Sequence, residues 1–340
     1  MGPLPPTQDD RLIWDIWQSQ YTLPAVTVAD ELGLFAAASD APSTTAELAA
    51  QLDVDARALG MLLACLAGIG LVEKRDGCWA ALPPARTWLH PQAKGYWGPF
   101  LYRFRETIAL HEVLLLAMRS GKRPETRYTG VAEWERGKMD PAIARRIADF
   151  MHAHSLAPAL AAASQQVFAD ISSLLDVGCG SGVYGIHMAK AHPDMHVTLL
   201  DLAEMVDEAA RYVEQEGLSG RVALAPCNMF EQDWPQKHEA HFFANIFHDW
   251  SEETNALLAA KSFAALPAGG RIFLSEVLTD DEEDGPFHAA AFSLMMLTGT
   301  LGKQYSLPEL RRILEGAGFV DVQAVRTGGG YYSLVSARKP

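Results

Sequence analysis

The segment Leu174-Leu175-Asp176-Val177-Gly178-Cys179-Gly180-Ser181-Gly182 constrains this 340-residue chain more than any other. A short apolar run enters it, and glycines at alternate positions close it. Glycine is required where backbone turns sharply out of a strand and must come close to a ligand. A helix expected over 183–191 then offers unpaired N–H groups and a positive dipole end to an anion. About 20 residues further on, a second apolar run ends in Leu199-Leu200-Asp201, where an acid can accept hydrogen bonds from both hydroxyls of a ribose.

Residues 180–185 read Gly-Ser-Gly-Val-Tyr-Gly, a literal GxGxxG that by itself suits a nicotinamide dinucleotide. Three features favour S-adenosylmethionine (SAM) instead. Asp176 precedes the glycines by two residues and can face a methionyl ammonium, while the helix end takes the methionyl carboxylate. The motif lies mid-chain, after a helical region. The last apolar runs, 319–325 and 331–336, flank Gly328-Gly329-Gly330, a link short enough only for an antiparallel pair.

Between these points, apolar runs at 173–177, 196–200, 221–225, 241–246 and 270–277 alternate with helical stretches. That alternation predicts an α/β, doubly wound, mostly parallel sheet of Rossmann-like type, ending in the antiparallel hairpin. Upstream, Thr44-Thr45-Ala46-Glu47 has capping-box spacing. A helix is expected over 55–68, with Leu59, Leu62, Leu63 and Leu66 on its buried side and Gly70 as its cap. Residues 71–79 then read as two short strands around Asp76-Gly77. Helix, helix and hairpin make a winged-helix pattern. The expected division is a winged-helix-like domain over 1–95, a helical linker over 96–168 and a SAM-binding domain over 169–340.

Charge decides what the winged helix is for. The chain carries a formal net charge of -14, and residues 1–95 hold six Lys/Arg against eleven Asp/Glu. The helix over 55–68 has one cation, Arg57. A DNA reader needs a basic face, so nucleic acid is excluded, and packing or dimerisation is the expected role. Anionic membrane surfaces are poor partners for the same reason. Cys65, Cys78, Cys179 and Cys227 form no CxxC pair, which points to reduced cytoplasmic thiols rather than a zinc site or a disulfide frame. The first residues, Met1-Gly2-Pro3-Leu4-Pro5-Pro6, lack a signal peptide's basic and apolar regions, and Pro6 stands where myristoylation wants Ser or Thr.

Taken together, LLDVGCGSG (174–182), Asp201, NMF (228–230), FHDWSEE (247–253), ALPAGGRIFLSE (265–276) and AGF (317–319) resemble the SAM-dependent small-molecule O-methyltransferases of the caffeate, hydroxyneurosporene and acetylserotonin type. The resemblance covers nearly the whole chain. It implies a homodimer, a small aromatic acceptor of phenolic or polyketide-like type, and release of S-adenosylhomocysteine. It places the general base at His248, assisted by Glu276 and by a second acid whose position is Gln304 here, a neutral amide. It implies cofactor contacts from Asp176, Gly178, Gly180, Gly182, Asp201 and Leu202. Asn228 stands where the family usually has Asp facing the adenine amine, and Met229 would lie on the adenine face or in the core. A family Lys matches Ala244, so Asn245 is the substitute contact; Trp250 and Asp249 complete the motif.

The acceptor is expected between the helical segment 96–168 and the stretch 287–301. Phe100, Met118, Met151, Phe292, Met295 and Met296 are candidate walls, with His288 as a polar group; each reads equally well as helix core. His152 and His154 lie two residues apart and share no helix face, so no metal site is expected. Carbon methylation, or a non-methylating relative that keeps SAM, are the alternatives of the same fold; a winged-helix regulator is the non-enzyme one.

Overall fold

The computed structural model describes residues 9–94, 96–105, 109–124, 133–134 and 136–340. Two compact units emerge: one comprises Met1–Arg11, Thr129–Leu278 and Leu307–Pro340, the other Leu12–Tyr128 and Thr279–Ser306. The chain therefore changes unit near residue 128, rather than at 95 and 168. The stretch 279–306, assigned from sequence to the C-terminal domain, belongs with the N-terminal one.

The second unit contains α1 (Arg11–Gln18), α2 (Thr22–Glu31), α3 (Leu34–Asp40), α4 (Thr45–Leu52), α5 (Ala56–Gly68), β1 (Val72–Arg75), β2 (Cys78–Ala81), α6 (Pro83–Trp88), α7 (Gly98–Arg105) and α8 (Ala109–Ser120). Thr44 and Glu47 cap α4 reciprocally, each side chain bonding the other's backbone N–H. Asp55 caps α5 through Ala58 N at 2.8 Å. Asp76 (φ 51°) and Gly77 (φ 77°) both lie in the left-handed region that a two-residue hairpin turn requires. Leu59, Leu62, Leu63 and Leu66 are all buried in one core.

The first unit holds α9 (Pro141–Ala163), β3 (Ser173–Val177), α10 (Val183–Ala191), β4 (His196–Asp201), α11 (Ala203–Gln215), β5 (Val222–Pro226), β6 (Ala240–Ala244), α12 (Glu252–Ala265) and β7 (Arg271–Val277). The second unit then receives α13 (Phe287–Gly299), and the first unit is completed by α14 (Leu307–Gly316), β8 (Val320–Arg326) and β9 (Tyr332–Arg338). Its seven strands run in the order β5-β4-β3-β6-β7-β9-β8, with β9 antiparallel to both neighbours. Central strands β6 (AHFFA) and β7 (RIFLSEV) are almost entirely buried, as strands covered on both faces should be. Edge strand β5 is largely exposed and ends in Pro226, where the missing N–H costs no ladder bond. Ala159, Ala162 and Ala163 of α9 pack with Tyr184 and Ile186 of α10 onto Leu174, Leu199, Phe242 and Phe273. No helix among the described residues is long and apolar enough to cross a membrane.

The sequence of α13, FHAAAFSLMMLTG, is apolar nearly all round, as suits a helix buried on most sides. It buries Ala290, Ala291, Leu294 and Leu297 in the core of the second unit. The approach to α5 is close enough that a Cβ on Gly68 would lie 2.5 Å from Phe287 Cα. Alanine favours a helix by about 1 kcal/mol over glycine, yet here it must push a backbone aside. Gly68→Ala should therefore destabilise the protein by about 1–3 kcal/mol in denaturant unfolding, where the same change on an open helix face stabilises.

Candidate functional site

The strand order reverses between β3 and β6, because β4 and β5 lie on one side of β3 while β7 and β9 lie beyond β6. Loops leaving the carboxyl ends of two such strands part in opposite directions and open a crevice between them. The loop after β3 is the glycine segment, and the turn after β6 is residues 245–250.

Gly178 (φ 70°), Gly180 (φ 57°) and Gly182 (φ 76°) are all left-handed, which is why the motif needs glycine at alternate positions. Their surroundings differ. A Cβ at Gly178 would meet Ile246 Cδ1 at 2.4 Å, and one at Gly182 would meet Leu199 Cδ1 at 2.6 Å. A Cβ at Gly180 would meet nothing within 4 Å, so this residue turns its open side to free space. The loop is tied to the next strand: Gly178 N and Cys179 N both donate to Leu200 O, at 2.8 and 3.1 Å.

Asp201 accepts from Gly180 N at 2.9 Å and from Leu202 N at 2.7 Å, one bond per carboxylate oxygen. It stays partly exposed at the strand end. Asp176 is buried and accepts from Gly185 N of α10 at 3.0 Å. Burial pushes Asp176 up to about 7, with the nearby Asp201 adding to the rise, and pushes Asp201 up to about 6. Among the described residues neither acid is paired with a cation, and an ammonium ion would relieve both. The open flank of Gly180 at a helix N-terminus, an acid at the second strand end and a buried acid beneath fit a ligand with an amino-acid end and a ribose.

The rest of that wall is less specific. Leu202 is buried and caps α11. Met229 is half-buried, its Sδ 3.8 Å from the position of a Cβ on Gly178, so it stands at the loop. Asn228 accepts from Phe230 N at 3.0 Å through Oδ1. Trp250 is buried, edge-on to Phe230 with centroids 4.7 Å apart.

Past the end of β6, a single helical turn, Phe247–Asp249, carries His248. Its Nδ1 lies 3.2 Å from Glu276 Oε2, and its Nε2 lies 3.7 Å from Asp249 Oδ1. Glu276 Oε1 accepts from Ile246 N at 3.1 Å and Phe247 N at 3.0 Å. One carboxylate thus fixes both the turn and the ring. Burial pushes Glu276 up to about 8, helped by Asp249, while the backbone N–H groups pull the other way. Burial also raises Asp249 well above the ordinary carboxylate range.

Asn245, expected as a cofactor contact, has both ends of its buried amide on protein groups. Oδ1 accepts from Tyr332 OH at 2.6 Å, and Nδ2 faces Ser155 Oγ at 3.4 Å. Met118, read as an acceptor wall, is fully buried in the second unit's core, where Leu114, Leu115 and Met118 share one face of α8. Phe292 and Met296 are likewise buried in α13, Phe292 edge-on to Trp14 and Trp17 with centroids 5.4 and 5.7 Å apart. Met295 packs partly buried against that core, and His288 is half-buried at the start of α13. Met151 is half-buried on α9 in the sheet unit. Phe100 has its side chain outside the described residues. Gln304 belongs to the second unit, with its backbone N–H on Ser293 Oγ at 3.1 Å.

Sequence reasoning missed Asn255, which is fully buried and donates to Phe247 O at 2.8 Å and Trp250 O at 3.2 Å, closing the His248 turn from behind. A polar amide inside the apolar stretch of α12 was the available signal. Tyr184 on α10 and Ser275 and Tyr332 in strands were also missed, since buried aromatic and small residues read as core.

Residues 112–320 match the O-methyltransferase domain, and the chain belongs to that family. It is a SAM-dependent methyltransferase of the O-methyltransferase type. It is 30% identical over 324 residues to a 3-hydroxy-5-methyl-1-naphthoate 3-O-methyltransferase of Streptomyces sahachiroi, covering 94% of this chain and 91% of that one. An O-methyltransferase family 2 protein from Planctomyces limnophilus, solved with apigenin, superposes with a TM-score of 0.86 at 24% identity over 98% of this chain and 97% of that one. The human N-acetylserotonin methyltransferase solved with SAM gives a TM-score of 0.60 at 21% identity over 99% of each chain.

The glycine loop makes a sharp test. Gly180→Ala adds a Cβ to open space and strains only φ, at about 1–2 kcal/mol; Gly178→Ala adds one into Ile246. Calorimetric affinity for S-adenosylhomocysteine should fall at least about tenfold in Gly180→Ala with a small change in Tm. In Gly178→Ala, Tm itself should fall by several degrees.

Proposed function

We propose that the chain methylates a phenolic hydroxyl on a fused-ring aromatic acceptor of the hydroxynaphthoate or polyketide class, with His248 as the general base and Glu276 as its orienting carboxylate. The observation that carries this reading is the 3.2 Å contact between His248 Nδ1 and a Glu276 whose other oxygen is pinned by two backbone amides. The naphthoate named in the Streptomyces sahachiroi relative supports the acceptor class.

When bound, SAM supplies a methyl group on a sulfonium, already activated for displacement. The protein's part is alignment and proton removal. Asp201 would hold the ribose hydroxyls, the Gly180 flank and the start of α10 the carboxylate, and Asp176 the ammonium side. Met229 and Leu202 would border the adenine. At the base, Glu276 accepts Nδ1–H, which leaves the Nε2 lone pair to take the phenol proton. The phenolate oxygen forms its bond to the methyl carbon, the sulfur–carbon bond breaks, and that electron pair stays on sulfur as the thioether of S-adenosylhomocysteine. The imidazolium is stabilised by Glu276 and later loses its proton to water.

The sign of the pH dependence follows from the buried pair. Burial raises Glu276, so its carboxyl keeps a proton into the neutral range. The ionised form that can accept from Nδ1–H grows as pH rises, so kcat/KM should increase with pH and level off. Glu276→Gln removes the charge that favours the imidazolium, so the rising limb should move to lower pH and the plateau should drop. An unmoved limb would take Glu276 out of the pair.

His248→Ala should lower turnover of 3-hydroxy-5-methyl-1-naphthoate or another phenol of a screened panel at least about a hundredfold. Calorimetric affinity for S-adenosylhomocysteine should stay unchanged. Full turnover in this variant would remove His248 as the base, and mass spectrometry of the product locates the added methyl on oxygen or elsewhere.

A further inference from the structure

Asn245 is the residue at which β6 stops and the catalytic turn begins, and its backbone is left-handed, with φ 56°. That conformation costs an ordinary side chain about 1–2 kcal/mol, and asparagine tolerates it best among residues with a Cβ. The surroundings hold it there. Asn245 N donates to Ser275 O at 3.2 Å, keeping the last rung toward β7. Its amide is 4% exposed. Tyr332 OH donates to Oδ1 at 2.6 Å, from the first residue of β9. Nδ2 faces Ser155 Oγ at 3.4 Å on α9, and Ser155 in turn meets His154 Nδ1 at 3.1 Å. Tyr332 is itself 1% exposed, so its hydroxyl is fixed by burial as well as by the bond.

The consequence falls on the next three residues. With Asn245 left-handed, the amides of Ile246 and Phe247 both point to Glu276 Oε1, and the ring of His248 reaches Oε2. In an extended conformation at 245 the chain would continue along the strand direction, and neither amide would meet that carboxylate. We propose that Asn245 and Tyr332 are positioning residues for methyl transfer: the Tyr332–Asn245 bond locks the left-handed turn that sets His248 against Glu276. Neither touches the reacting atoms. The proposal rests on His248 acting as the base.

Tyr332→Phe removes one hydroxyl and keeps the ring; Asn245→Ala removes the whole clamp. Both should lower kcat at least about tenfold, with KM and the S-adenosylhomocysteine dissociation constant within about twofold. In the His248→Ala background, Tyr332→Phe should cost nothing further, because the base it aims is gone. Asn245→Gly, which restores the left-handed freedom without the amide, should recover part of the loss seen in Asn245→Ala.

A measurement that needs no acceptor accompanies these. The imidazole 15N signals of His248, identified by their absence in His248→Ala, report its titration against Glu276 and Asp249, the acids that face it. In Tyr332→Phe and Asn245→Ala that titration should move toward the one seen in Glu276→Gln. Unchanged His248 signals, or a Tyr332→Phe loss that adds fully to that of His248→Ala, overturn the positioning role. If instead His248→Ala alone retains full turnover, the base assignment fails, whatever the 15N signals show, and the positioning role falls with it.

Discussion

The carboxylate of Glu276 is the point on which the catalytic edge of the sheet depends. It is buried at the end of β7, where an uncompensated charge would cost several kcal/mol. Here two backbone N–H groups from 246 and 247 offset part of that cost, and the ring of His248 stands 3.2 Å from the other oxygen. The two backbone bonds reach an ionisable group, the stronger kind, and all three groups come from one turn of chain. The turn therefore cannot relax without stranding the carboxylate, and the carboxylate cannot ionise without the turn.

The sheet order explains why that turn faces the glycine loop. β3 and β6 are neighbours, and the chain leaves them toward different sides. Ile246, the first residue after Asn245, comes within 2.4 Å of where a Gly178 side chain would begin. The glycine loop and the His248 turn approach each other through this pair, so glycine at 178 serves the packing of the two loops, whereas glycine at 180 faces open space. A single motif contains two physically different requirements for the same residue.

Much of this was legible in the sequence, because it rests on backbone demands. Every apolar run from 173 onward became a strand within a residue or two, and the short Gly328-Gly329-Gly330 link gave the antiparallel pair β8 and β9. Periodicity reports burial, though, and not the partner. The stretch 287–299 is apolar all round, so nothing in it says which core it joins, and it joined the one it is distant from in sequence. Met118 and Met296 looked like pocket residues for the same reason that core residues do. The setting of Asn245 left no trace in the sequence, because its distinguishing property is a dihedral angle and the tyrosine that holds it lies 87 residues away.

The neutral Gln304 bears on how the base is charged. The family resemblance places a second carboxylate at that position, and an amide there contributes no charge to an imidazolium. Within the sheet unit, however, His248 already has an acid toward each ring nitrogen, Glu276 toward Nδ1 and Asp249 toward Nε2. Burial raises both acids, so each resists ionising until a cation forms beside it. In the proposed reaction, proton transfer from a phenol to Nε2 would create that cation beside both acids. A third carboxylate would deepen the penalty in the resting state, when the ring is neutral. Loss of the acid at 304 is therefore compatible with base catalysis wherever the two acids nearest the ring are buried as deeply as they are here.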